Sequence, residues 1–382
     1  MRSAGRTLTT HVGSLPRLPA VAEALLRRER GEGHDPDAFH AAIRAGVAEV
    51  VARQVALGID LVSDGEYGKI TYSTYIKDRL SGFGGEVEAR PHLDLKDHPE
   101  FRRRMAAFTG PQSFKRLCCT GPVALADPAA VQVDIANFRA AVERSHPVGG
   151  FLSAASPGVV TSFQPNRHYD THRAYLEAVA AAMEPEYEAI AEAGFVLQVD
   201  CPDLAMSRHT GFQDLSEAEF LARAETHVEV LNRTLRHIPA DRLRMHVCWG
   251  NYEGPHDHDI ELDRILPIIL EAKPTAISFE SANPRHGHDW AIWAAAKLPE
   301  DRVLIPGVID TSTNFVEHPD LVAERICRFA DIVGRERVIA GSDCGFGTFA
   351  ASSKLDPDIA FKKLAALVEG AARASRILWP AA

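Results

Sequence analysis

A histidine and a cysteine two residues apart, His246 and Cys248 in RMHVCWG, close one apolar run of this chain, and two later runs close on Glu280 (ISFES) and Cys344 (GSDCG). Side chains alternate faces along a β-strand, so His246 and Cys248 point the same way, close enough to share one metal ion. A single reactive thiolate needs no such set. One His, two Cys and one Glu mix soft and borderline donors, which suits tetrahedral zinc; calcium or magnesium asks for oxygen throughout. Singly, each cysteine reads as a small buried hydrophobe and the histidine as a satisfied core residue. Together, at strand ends, they make Zn2+ the expected cofactor. A free thiol, with a pKa near 8.5, is mostly protonated at neutral pH, whereas a thiol on zinc is deprotonated outright. The chemistry expected is therefore attack of a thiolate on an electrophilic carbon, with Glu280, the hardest ligand, the natural one to move.

Such a set needs several strands ending on one face. Apolar residues at three-to-four spacing predict helices in DAFHAAIRAGVAEVVARQVALG, THRAYLEAVAAAMEPEYEAIAEAG, SEAEFLARAETHVEVLNRTLRHI and HPDLVAERICRFADIVG. Between the helical patterns lie β-like runs, TLTTHVG, DLVSDGE, LCCTGPVAL, GFLSAASPG, FVLQVDCP, RMHVCWG, TAISFES, VLIPGVID and RVIAGSDCG, whose two-sided apolar character suits buried parallel strands. Strand–helix alternation without a Gly-x-Gly-x-x-Gly turn after the first strand predicts an α/β fold, a (β/α)8 TIM barrel. Nine runs compete for eight places, so one lies outside the barrel. The stretch from Gly82 to Pro111 is the expected excursion, and residues 1–382 are expected to form a single domain. In such barrels functional groups sit at the C-terminal strand ends. Asp64, Glu66, Asp200, His246, Cys248, Glu280, Asp310, Asp343 and Cys344 occupy those ends.

Composition narrows the class. The chain is 46% hydrophobic and 25% charged, with no apolar run of membrane-spanning length and no signal-peptide pattern. A soluble, cytoplasmic protein is expected, with no membrane partner. The six cysteines are too sparse for a disulfide framework. The net charge of −10 is spread along the chain, with no basic stripe for a phosphate backbone, so no nucleic-acid partner is expected. A homo-oligomer stays open.

From Thr9 to Cys344 the chain resembles the catalytic barrel of cobalamin-independent methionine synthase, and more closely the family's shorter single-barrel relatives, within the uroporphyrinogen decarboxylase-like superfamily. TTHVGSLPR is similar to its first-strand Gly-Ser motif, which implies that Gly13 and Ser14 hold an amino-acid carboxylate by backbone amide and hydroxyl. DLVSDGE resembles its Gly-Glu strand and LQVDCPDL its Asp strand, implying that Glu66 and Asp200 bind the substrate ammonium. HVC, SFES and SDCG match its metal-ligand segments, implying His246, Cys248, Glu280 and Cys344 as the zinc shell. Two carboxylates welcome an ammonium and repel a sulfonate, so an amino-acid thiol such as homocysteine is the expected substrate. The competing reading of Glu66 and Asp200 is a helix cap or an ion pair with Lys69 or Arg208.

Two departures bear on the methyl donor. Larger synthases carry a proton-shuttling His in the motif that here reads GVIDTSTN, and Ser312 stands in its place. They stack a pterin on a Trp; the nearest residue here is Phe163. The donor is thus open between a folate, a corrinoid or another alkyl carrier. The alternatives to a methyltransferase are opening of an epoxide, as in epoxyalkane:coenzyme M transferase, thioether cleavage, or a barrel that binds zinc or a thiol without catalysis.

Several neighbours keep two readings. His11 either contacts substrate or fixes its loop, and Trp249 and Tyr252 either wall the pocket or pack. Asp310 and Asp343 are candidates to orient ligands. Cys118 and Cys119 must face opposite sides of a strand, which favours packing. Cys201 either borders the pocket or packs, and Cys327 is expected in the core. His256 to Asp259 read as a solvated loop.

Overall fold

The computed structural model describes residues 1–33, 35–88, 90–109, 117–350 and 355–380. Among them are ten short strands: β1 (Leu8–Thr9), β2 (Leu61–Val62), β3 (Phe83–Gly84), β4 (Cys118–Cys119), β5 (Gly149–Ala155), β6 (Val196–Asp200), β7 (Leu243–Val247), β8 (Ala276–Phe279), β9 (Val303–Ile309) and β10 (Ile339–Ser342). Eight of them pair in the order β1-β10-β9-β8-β7-β6-β5-β2, every pairing parallel. With helices outside, this is a nearly closed (β/α)8 barrel. All five residues of β6 and of β7 are buried, as strands packed on both faces must be.

The surplus β-like run is the one with adjacent cysteines. Its strand β4 pairs antiparallel with β3 and takes no place in the barrel. The excursion predicted from Gly82 onward holds β3 and the helices Leu93–Asp97 and Pro99–Thr109, while Pro111 lies outside the described residues. The four predicted helices appear at Pro36–Leu57, His172–Glu192, Glu217–Thr234 and Pro319–Val333. Their ends follow local chemistry. Asp35 caps Pro36–Leu57 through the amides of Asp37 and Ala38, Gly58 closes it at φ 91°, and Ser216 with Glu219 forms a capping box. Among the described residues no helix is long and apolar enough to cross a membrane.

The barrel has a seam. No backbone ladder joins β1 to β2; side chains and one backbone bond between the following loops bridge the gap instead. At its lower end Asp60 accepts from the Thr9 amide at 2.9 Å and pairs with Arg6. Higher up, Thr10 Oγ1 donates to the Leu61 carbonyl at 3.1 Å, Ser63 Oγ donates to the Gly13 carbonyl at 2.9 Å, and the Leu15 amide donates to Gly65 O at 3.1 Å. Inside the barrel the Arg244 guanidinium is fully buried over the Phe151 ring, donating to Thr10 Oγ1 and His11 O.

Candidate metal centre

His246 lies on β7 with Cys248 just beyond its end, and Cys344 lies just beyond β10. The three are buried, and their donor atoms all lie within 4.8 Å of one another. The two Sγ atoms are 3.6 Å apart. Two sulfurs on one tetrahedral zinc, each at about 2.3 Å, stand roughly 3.8 Å apart. Among the described residues neither ring nitrogen of His246 has a hydrogen-bond partner of acceptable geometry, although the residue is 3% exposed. A buried imidazole without partners is costly unless something absent from the protein itself satisfies it. Burial, with Arg244 behind it, pushes the imidazole down to about 3, against a weak opposing effect of the Ser278 backbone, so it is a neutral donor. The Cys248 thiol is held well above its usual range, first by the facing Cys344 and then by burial. A thiophilic cation relieves all three groups, so the residues fit zinc.

Glu280, the fourth predicted ligand, stays outside that group. Its Oε1 accepts from the Trp249 amide at 2.7 Å and its Oε2 from Asn283 Nδ2 at 2.7 Å. The carboxylate borders the centre with one hydrogen bond to each oxygen, which leaves a lone pair on each. Trp249 takes the packing alternative: its indole is 1% exposed, tilted against His286 at 4.3 Å, with Nε1 donating to Ile260 O. Tyr252 Oη donates to Asp94 of the excursion at 2.5 Å.

Asp200 is the direct neighbour of His246 in the β6–β7 register, which sets the expected ammonium site beside the centre. Burial, followed by repulsion from Glu66, raises the Asp200 carboxyl to about 8. Glu66 Oε1 accepts from Ser153 Oγ at 2.6 Å, and its Oε2 is buried without a partner among the described residues. Glu66 also has φ 58°, a left-handed conformation that costs a residue with a Cβ about 1 kcal/mol. Such strain at a buried carboxylate is typical of a binding site. Neither carboxylate caps a helix, and neither pairs with Lys69 or Arg208 among the described residues; Lys69 Nζ donates to Ser153 O and Ser153 Oγ instead.

The other predicted residues have the following partners. The Gly13 amide, expected to hold a carboxylate, donates to His11 Nδ1 at 3.1 Å, while His11 Nε2 meets Gln54 Oε1 at 2.8 Å. Both ring nitrogens of His11 are thus used to fix the loop, and burial keeps the ring neutral, down to about 4. Ser14 Oγ accepts weakly from the Gly347 amide at 3.4 Å. Asp310 bonds directly to none of the predicted ligands among the described residues: its oxygens gather Ser312 and Thr313, and Ser312 Oγ donates to Asp310 Oδ1 at 2.7 Å. Asp343 accepts from the amides of Ser281, Ala282 and Asn283 and so shapes the loop after Glu280. Phe163, at the end of the helix Pro157–Phe163, meets the Tyr72 ring edge-on at 5.8 Å.

Cys118, Cys119 and Cys201 are buried, and Cys327 is half-buried on the core. His256 and Asp259 are not solvated. They are buried and joined at 3.0 Å, and Asp259 also meets His286 at 3.1 Å. Sequence reasoning missed Ser153, Gln198 and Asn283. Gln198 lies two residues before Asp200 on one strand face, donates to Asp200 Oδ1 at 2.7 Å, and was open to alternation arguments; Asn283 sits in a turn and carried no such signal.

Residues 7–90 and 103–372 match the family described as cobalamin-independent synthase, catalytic domain. The chain belongs to that family. It is 23% identical over 367 residues to a methionine synthase of Saccharolobus solfataricus, covering 95% of this chain and 93% of that one. It is 24% identical over 366 residues to a methionine synthase of Sulfolobus acidocaldarius, covering 95% and 90%. The fold is also that of a B12-independent methionine synthase from Shewanella sp. W3-18-1, solved with selenomethionine, at a TM-score of 0.70 and 17% identity over 98% of this chain and 99% of that one. A putative vitamin-B12-independent methionine synthase from Listeria monocytogenes gives 0.64 at 17% identity over 98% and 100%. As a member of the cobalamin-independent synthase family, this barrel carries its His-Cys-Cys group and its acidic pair at or just beyond the C-terminal ends of β2, β6, β7 and β10.

Proposed function

We propose that this chain is a zinc-dependent thiol S-methyltransferase acting on homocysteine or a closely similar amino-acid thiol. The observation that carries the reading is the convergence of His246, Cys248 and Cys344 on one buried point, beside the acidic pair. Those three residues would hold the ion. Zinc, when bound, supplies the acidity that keeps a substrate thiol ionised at neutral pH.

Everything else falls to the chain. Glu66 Oε2, buried and unpartnered, and Asp200, beside His246 in register, receive the substrate ammonium. That cation favours the ionised form of Asp200, which burial and Glu66 otherwise disfavour. Trp249 and Asn283 hold Glu280 at the edge of the centre, where its charge adds to the preference for a cation. The substrate sulfur attacks the methyl carbon, an S–C bond forms as the carbon–carrier bond breaks with its electron pair leaving on the carrier, and the thiol proton goes to the carrier where it has a basic nitrogen and otherwise to solvent. The methyl donor and a cytoplasmic setting belong to the same proposal, and the relatives named methionine synthase support the homocysteine assignment.

The test is metal analysis and metal-edge X-ray absorption of the purified protein, with homocysteine and separately with coenzyme M. One added sulfur neighbour with homocysteine supports the reading. One with coenzyme M alone turns it to epoxide opening, and protein that takes up no thiophilic metal overturns it.

A further inference from the structure

Cys344 and Glu66 stand on opposite sides of the barrel seam, Cys344 beyond β10 and Glu66 beyond β2, with β1 paired only to β10. Elsewhere in the barrel a hydrogen-bond ladder sets the distance between neighbouring strand ends. Across the seam something else must set it.

Arg17 lies at that point. Its Nη1 donates to the Gly347 carbonyl at 2.6 Å, three residues past Cys344. Its Nη2 donates to the carbonyls of Glu66 at 2.9 Å and Lys69 at 2.8 Å. One planar guanidinium therefore grips both loops, and one of its acceptors is the carbonyl of the strained Glu66 itself. The surrounding contacts leave little slack. The Phe346 amide donates to Ser14 O at 2.8 Å, and Tyr67 Oη donates to Pro16 O at 2.7 Å. A Cβ added at Gly347 would lie 2.4 Å from Leu15 O. The loop after β10 is thus seated directly on the loop that carries Arg17.

We propose that Arg17 is a positioning residue that fixes the spacing between the metal end and the ammonium end of the thiol subsite. It rests on the thiol-binding reading above. A thiol that spans both ends depends on that spacing, and a thiol without an ammonium depends on the metal end alone. Lysine keeps the charge but lacks the planar fork needed to meet carbonyls on both loops.

The experiment uses full-length protein loaded with cobalt(II), whose spectrum reports thiol coordination without a methyl donor. Homocysteine and 1-propanethiol are titrated into wild type, Arg17→Lys and Arg17→Met. In both variants the homocysteine dissociation constant should rise by about tenfold to a hundredfold while that of propanethiol changes by less than about twofold, with metal stoichiometry kept. Partial recovery of homocysteine affinity by added guanidinium ion in Arg17→Met would support the assignment further. Equal weakening of both thiols, loss of the metal, or unchanged homocysteine affinity would overturn it. Wild-type protein that binds metal but neither thiol would sink the thiol-binding reading, and this proposal with it.

Discussion

Glu280 and Asp343 are held by the same side-chain amide: Asn283 Nδ2 donates to Glu280 Oε2 at 2.7 Å and to Asp343 Oδ2 at 3.1 Å. Burial, followed by repulsion from Glu280, raises Asp343 to about 7, so the amide separates two carboxylates that would otherwise repel. Replacing Asn283 by Ala removes both bonds. Loss of a group that orients the surroundings of a metal centre weakens metal affinity by about tenfold to a hundredfold. Competition with a chromophoric chelator measures this; an unchanged zinc affinity would mean that Asn283 does not orient the surroundings of the centre.

The sulfurs of Cys248 and Cys344 meet from positions 96 apart in sequence. Cys248→Ser and Cys344→Ser should each abolish stoichiometric zinc and lower thiol alkylation by at least about a hundredfold, because a hydroxyl is a poor replacement for a thiolate on zinc. Metal content and turnover of the purified variants check this. Both variants retaining metal and activity would exclude the assignment.

Asp200 carries a pH signature. Its folded-state pKa, near 8, lies above the ordinary carboxylate value, so between the two values the native state holds a proton that the unfolded chain has lost. The raised group favours folding fully at low pH, and that contribution is lost as the pH climbs through the folded value. Asp200→Asn has no such group. Ligand-free wild type should therefore lose stability relative to Asp200→Asn between about pH 5 and about pH 8. Urea midpoints of the two proteins at both ends of that range decide it, and parallel curves would refute it. The variant should also bind homocysteine more weakly, by about tenfold, since one charge-assisted contact is gone.

Gly345 is pressed against Ser14, and a Cβ there would lie 1.9 Å from Ser14 Oγ. Gly345→Ala must push the loop bearing Cys344 off its seat, destabilising the protein by about 1–3 kcal/mol. Thermal unfolding reads the stability, and metal content reads the displacement. The double variant with Ser14→Gly should recover part of both, because it removes the atom in the way.

Local pattern was enough for the barrel and for the convergence of His246, Cys248 and Cys344. Two-sided apolar runs alternating with three-to-four periodicity leave few architectures besides parallel strands under helices. His246 and Cys248 share a face because strand geometry puts every second side chain there. Burial of those strands on both sides then required each donor to find a partner, and that requirement is written in residue types alone.

Relationships between loops were not legible, because they depend on which turn lies against which. The sequence showed nine strand-like runs, but only pairing reveals that Cys118–Cys119 joins Phe83–Gly84 rather than the barrel. Glu280 is a chemically sound ligand in sequence, and only the structure shows that its oxygens also accept from the Trp249 amide and from Asn283. His11 looked equally fit for substrate or for its loop until Gln54 and the Gly13 amide filled both ring nitrogens. His256 and Asp259 looked solvated until His286 and the excursion helix covered them. The sequence by itself determined which side chains reach the C-terminal face of the barrel, since strand periodicity is a local property. Only the tertiary structure decided which of them remain free for an ion or a substrate, since a hydrogen bond is claimed by whichever group packing brings within about 3 Å.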